Sequence, residues 1–227
     1  MSKNMTVEKT FASAIQNHQK NNFKAAEDLY NQILEIDPNH IKTIFFLGTL
    51  SVQTKNFDRA KQMLQKTIQA QPNNVDAYNN LGVVFKEFEE FQKAKDCFEK
   101  VIQIQPKHVD ALNNLGNVFK QLNEPQKAIN YYQKAIEIEP SYINAHQDLM
   151  DVCEKTNQIT ELKDAVSNAR TFFKDNSIIK LYEGILLSRN EKFVEAKNCL
   201  KLILFEADET NKEILRVSTL AKCYDRI

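Results

Sequence analysis

The chain repeats itself every 34 residues, and this period leaves few folds open to it. Pro38, Pro72, Pro106 and Pro140 are spaced by 34, and so are Gly48, Gly82 and Gly116. The remaining glycine, Gly184, lies two further steps along. The repeated phrase is clearest between Val75 and Pro140. There VDAYNNLGVVFKEFEEFQKAKDCFEKVIQIQP is followed, after Lys107 and His108, by VDALNNLGNVFKQLNEPQKAINYYQKAIEIEP. A unit this short buries little apolar surface by itself, so its copies must stack and share one continuous core.

Each unit reads as two amphipathic helices. Tyr78, Leu81, Phe85 and Phe88 recur at helical spacing, and Ala94, Phe98, Val101 and Ile102 do the same after the polar turn Glu89–Glu90. Proline closes the unit because it disfavours helical geometry in the residue before it. Pro125, the one proline out of register, falls at the start of a second helix, where its missing N–H costs nothing. Counting places from Val7, Ile41, Val75 and Val109, place 8 holds Ala14, Gly48, Gly82 and Gly116, and place 20 holds Ala26, Ala60, Ala94 and Ala128. These small residues are expected to face each other where the two helices of a hairpin cross. The larger residues at place 24 (Tyr30, Leu64, Phe98, Tyr132) are expected to fill the groove toward the next unit.

Leu-Gly at places 7 and 8, an aromatic at 11, Ala at 20, an aromatic at 24 and Pro at 32 together resemble the tetratricopeptide repeat (TPR). Leu81, Gly82, Phe85, Ala94, Phe98 and Pro106 match that pattern, as do Leu115, Gly116, Phe119, Ala128, Tyr132 and Pro140. The resemblance implies an all-α right-handed α–α superhelix, a solenoid of about six helical hairpins plus a C-terminal helix. The repeats fall at 7–40, 41–74, 75–108, 109–142, 143–176 and 177–210, with the last helix near 211–227, so that 1–227 forms a single solenoid. The fifth unit carries Met150 and Leu162 where Gly and Ala belong, and is expected to be a distorted joint.

Composition narrows the function classes. Lys+Arg and Asp+Glu balance at 30 each, with no basic run, which argues against a nucleic-acid backbone or an anionic membrane as partner. The opening residues hold no apolar run long enough for a signal sequence, and no later segment approaches a membrane span. Cys97, Cys153, Cys199 and Cys223 are far apart and form no CxxC pair. A reduced, cytoplasmic setting without metal or disulfide is the simpler expectation.

In this family the first helices of stacked hairpins line a concave groove, with places 2, 5, 6, 9, 12 and 13 facing it. In the third to fifth units these places carry a track of amides and charges, from which Asn79, Asn80, Lys86, Asn113, Asn114, Asn117, Lys120 and Asp148 are the candidate partner-binding residues. An Asn amide donates to and accepts from an extended peptide backbone at once, so it senses chain direction and spacing. Asn80 and Asn114 resemble the asparagine ladder in the tetratricopeptide region of O-linked N-acetylglucosamine transferases. The plain alternative is a polar solvent face. Chaperone-type members grip a C-terminal carboxylate with basic residues at groove places 2, 5 and 6. Here Asp76 and Asp110 would repel it. Phe45 and Phe46 near one end and Ile178, Leu181 and Ile185 near the other are either partner anchors or packing residues.

No enzyme signature appears. His18, His40, His108 and His146 have no fixed Ser, Cys or Asp partner, and His40 and His108 occupy equivalent inter-unit loops, where turn or cap duty is expected. The function expected is a non-catalytic scaffold for a protein or peptide partner, without cofactor. A second reading starts from Leu220-Ala221-Lys222-Cys223-Tyr224, which fits the start of a further repeat. That run resembles the last repeat before the catalytic module of some bacterial tetratricopeptide–sulfotransferase proteins. The repeats would then present a substrate to a sulfotransferase or glycosyltransferase domain. The apolar stripe of Leu220, Tyr224 and Ile227 also offers a route to a homodimer through the C-terminal helix.

Overall fold

The computed structural model describes residues 3–196, 198 and 199. Among these the regular elements are all helical. They are α1 (Lys3–Gln19), α2 (Phe23–Ile36), α3 (Ile41–Gln53), α4 (Phe57–Ala70), α5 (Val75–Glu87), α6 (Phe91–Ile104), α7 (Val109–Gln121), α8 (Pro125–Ile138), α9 (Ile143–Lys155), α10 (Ile159–Phe172) and α11 (Ser177–Arg189). A further helix begins at residue 193. The proposed C-terminal helix at 211–227, with its apolar stripe, lies outside the described residues.

The chain divides into two compact units, Met1–Leu122 and Asn123–Ile227. In the first, α1 packs on α2, α3 on α4 and α5 on α6, and each hairpin hands on to the next through α2–α3, α4–α5 and α6–α7 contacts. First helices also approach one another, α3 against α5 and α5 against α7. Second helices of this unit do not come as near to each other, so the first helices form its inner layer. In the second unit α8 packs on α9, α9 on α10 and α10 on α11.

The 34-residue period is written in backbone hydrogen bonds. Each first helix ends on a residue in the left-handed region, at Asn21, Lys55, Glu89, Asn123, Asn157 and Glu191, with φ between 57° and 60°. The following N–H then bonds five residues back, as Glu90 N to Phe85 O (2.9 Å) and Gln158 N to Cys153 O (2.8 Å). This closes the last turn and reverses the chain. Each first helix starts on a cap 34 residues from the last. His40, Asn74, His108 and Asn176 accept from backbone N–H groups of their first turns. The cap duty expected of His40 and His108 is therefore observed, through Nδ1 in both.

The small residues at places 8 and 20 are all buried. A Cβ on Gly82 would meet the Phe98 ring at 2.7–3.0 Å, and one on Gly48 would meet Leu64 and Met63 at 3.1–3.2 Å. Place 24 thus lies over place 8 of its own hairpin and also faces the next unit, where Tyr30 packs with Leu47 and Leu50 and stacks on Phe46 at 6.5 Å. Ala60 and Ala94 at place 20 are fully buried and add little bulk, which leaves room at place 8 for Leu64 or Phe98. In the fifth repeat Met150 and Leu162 are both fully buried, and α9 and α10 approach less closely along their length than α3 and α4 do. The expected distorted joint is present.

Candidate functional site

The inner layer of the first unit is built by α3, α5 and α7. Ala77, Leu81, Gly82, Val84 and Phe85 of α5 are buried, as are the equivalent Ala111, Leu115, Gly116, Val118 and Phe119 of α7. With those positions committed to the core, helical geometry turns Asn79, Asn80, Val83 and Lys86 of α5 to one part-exposed face, and Asn114, Asn117 and Lys120 to that of α7. Six of the eight predicted groove residues (Asn79, Asn80, Lys86, Asn114, Asn117 and Lys120) are thus part-exposed on neighbouring helices of one unit.

Asn113 is different. It is only 6 % exposed, so its amide belongs largely to the interior. Asp148 sits part-exposed on α9 in the second unit, where its charge helps to push the Tyr132 and Tyr182 phenols up from their ordinary range, behind the larger effect of burial.

Two local features shape the amide track. Asn80 Nδ2 donates to Thr49 Oγ1 of α3 at 3.1 Å, and Thr49 in turn donates to Phe45 O at 3.1 Å. The Asn80 side chain is therefore held in place by the preceding repeat, a partnership that spacing alone did not reveal. Asn79 Oδ1 is buried and has no protein donor. Charge follows helix polarity, with Asp76 and Asp110 in the first turns of α5 and α7 and Lys86 and Lys120 in the last. Each sign sits where the helix dipole favours it, so these four charges have a structural reason to be present whatever binds.

The apolar margin resolves into two roles. Phe46 lies 5.7 Å from the Phe11 ring and 6.5 Å from Tyr30, packed against the α1–α2 core, and is a structural residue. Phe45 meets Phe46 edge-on at 5.2 Å and keeps part of its ring exposed.

Chemically reactive groups are spoken for. His18 is buried, its Nε2 2.8 Å from Gln53 Oε1 and its Nδ1 3.2 Å from the Tyr30 hydroxyl. Burial pushes that phenol up to about 12. It also pushes the Cys97 and Cys153 thiols up to about 12 and about 11, far from thiolate reactivity at neutral pH. Among the described residues no group of three or more His, Cys, Asp or Glu side chains could hold a metal ion. None of the described helices is long and apolar enough to cross a membrane.

Stacked antiparallel hairpins with small residues at their crossings and a polar inner layer define a helical-repeat protein. Its family is settled by comparison. Tetratricopeptide-repeat profiles match residues 18–82, 75–108 and 109–142, more than half of the chain, and the chain belongs to that family. No curated protein matches. Among solved structures, the MamA protein is 26 % identical with a TM-score of 0.67, covering 74 % of this chain and 92 % of its own. A tetratricopeptide repeat protein from Parabacteroides merdae ATCC 43184 shares the fold more completely, with a TM-score of 0.79, 16 % identity, and coverage of 98 % of this chain and 89 % of its own. YrrB, described as a TPR protein with an unusual peptide-binding site, has a TM-score of 0.63 and 17 % identity, covering 87 % of this chain and 97 % of its own.

Proposed function

We propose that this protein is a non-catalytic scaffold that holds an extended segment of a partner protein along its first helices. The observation that supports this most is the amide face of α5 and α7, where Asn79, Asn80, Asn114 and Asn117 stay part-exposed while every large apolar residue around them is buried or part-buried. Amides at successive repeats match the alternating donors and acceptors of a peptide backbone, which a purely solvating face does not require. Lys86, Lys120 and Asp148 supply the charges of the proposed site. Asn113, being buried, supports the amides beside it. The array is ordered before binding, so the flexible partner carries the ordering cost and affinity is moderate. Cys97, Cys153 and Cys199 are free, which supports a reducing, cytoplasmic setting.

The test is selection of linear peptides from a displayed library on the intact protein, followed by amide chemical-shift mapping. Selected peptides are expected to shift Asn79, Asn80, Asn114 and Asn117. Affinity should fall about tenfold in Asn80→Ala/Asn114→Ala, the loss of two backbone-pairing amides. Thr49→Val serves as control, because it removes the Thr49 bonds to Asn80 and to Phe45 O while leaving both asparagines in place. Peptides that shift the second helices instead, or bind the double variant equally well, would overturn the groove assignment.

A further inference from the structure

The second unit holds a cleft that the groove does not use. It measures about 390 Å³ and lies between α8, α9 and α10, along the joint where Met150 and Leu162 replace the small residues of other repeats. Ile136, Leu149 and Ala165 give it apolar lining, and no Lys or Arg lines it. Glu137, Glu161 and Asp164 bring three carboxylates to its walls, and none of the three is ion-paired among the described residues.

A second observation concerns His146, which also lines this cleft and is fully buried. Its Nε2 lies 2.9 Å from the Pro140 carbonyl, which only accepts, so the ring proton sits on Nε2. Phe172 and Phe173 flank the ring, and burial holds its pKa below the ordinary histidine value. The imidazole is therefore neutral, and Nδ1 carries a lone pair with no protein donor. A buried acceptor of this kind is satisfied only when something in the cleft donates to it.

We propose that this cleft binds an organic cation, an ammonium or guanidinium group carried on an aliphatic stem. Ile136, Leu149 and Ala165 would take the methylenes, as apolar surface does under lysine and arginine side chains. Glu161, Asp164 and Asn168 follow one another along the exposed side of α10 over about 10 Å, enough to hold cationic heads spaced along one stem. An N–H of the cation supplies the missing donor to His146 Nδ1. A metal ion is the poorer occupant, since no ligand cluster is assembled among the described residues. The same chemistry comes from two sources, a free linear polyamine or an arginine or lysine side chain of a partner protein.

The experiment is titration of the intact protein with spermidine in one arm and with an acetylated, amidated Gly-Arg-Gly-Arg-Gly peptide in the other. Heat is recorded beside the side-chain ¹⁵N resonances of His146. Saturable binding in either arm, with the Nδ1 resonance moving upfield as it accepts a hydrogen bond, supports the site, and the arm that binds names the source. Glu161→Gln/Asp164→Asn should weaken binding about tenfold at unchanged helicity, in line with losing two charge pairs near the surface. An unmoved His146 Nδ1 in both arms, or equal affinity in the double variant, would overturn the proposal. Neither result depends on what the asparagine groove binds.

Discussion

At Gly82 a single methyl group has nowhere to go, because the Phe98 ring already occupies the space a Cβ would take at 2.7 Å. Gly82→Ala should cost about 1–3 kcal/mol, the usual range for overpacking a core, and Phe98→Leu in the same chain should recover part of it. Urea denaturation of the three proteins measures both numbers. Gly48→Ala should cost less, since its neighbours at 3.1 Å are the flexible Leu64 and Met63. The opposite sign is expected at Glu89, whose φ of 57° strains any side chain with a Cβ. Glu89→Gly should stabilise by about 1 kcal/mol, and an unchanged urea midpoint would show that the turn is not strained. His146 gives a pH-dependent term. Its folded pKa lies below the unfolded value of about 6.5, so on acidification the unfolded chain takes the proton first. The stability it confers is complete above about pH 6.5 and is lost as the pH falls toward the depressed folded value. The urea midpoint of His146→Gln should therefore decline less than that of the parent between about pH 7 and pH 5.

Element by element, the helices and their order were legible because apolar spacing, the closing prolines and the 34-residue step all describe the same hairpin. What could not be read was set by partners distant in sequence. Place 24 meets the neighbouring unit as expected, Tyr30 stacking on Phe46, but that Phe98 also covers Gly82 of its own hairpin is a matter of side-chain reach that periodicity does not carry. Lys55, Glu89 and Glu191 adopt left-handed backbone without the glycine that would have marked the turn. In the candidate groove, Asn80 looked equivalent to Asn114, but Thr49 at place 9 of the preceding repeat gives Asn80 a partner across helices. Asn113 looked like a groove residue, while its 6 % exposure puts it inside. The caps at His40 and His108 were legible from their equivalent inter-unit places, while those at Asn74 and Asn176 follow the general preference for Asn at a helix start. Asn74→Ala should cost about 1 kcal/mol through loss of its bond to Ala77 N, measured by thermal denaturation. Asn74→Ser should retain most of it.

At the scale of the whole molecule, hairpins that touch only their sequence neighbours do not unfold as one block. In the first unit the α1–α2 hairpin has its own buried cluster around Tyr30, Ala14, Ala26 and Leu47, to which α5 and α6 contribute nothing. Hydrogen exchange of Gly82→Ala at low urea should therefore show α5 and α6 opening while α2 keeps its protection. Simultaneous loss of both would mean a single cooperative unit. The capping pattern has a further reach. His40, Asn74 and His108 stand 34 residues apart, and each receives the first turn of α3, α5 or α7 in the same geometry. A gene broken at one such codon and rejoined at another still encodes a chain that closes the same hydrogen bond. Unequal recombination can thus lengthen or shorten the inner face by whole hairpins without inventing a new junction, making the span available to a partner a quantity that inheritance adjusts in fixed steps.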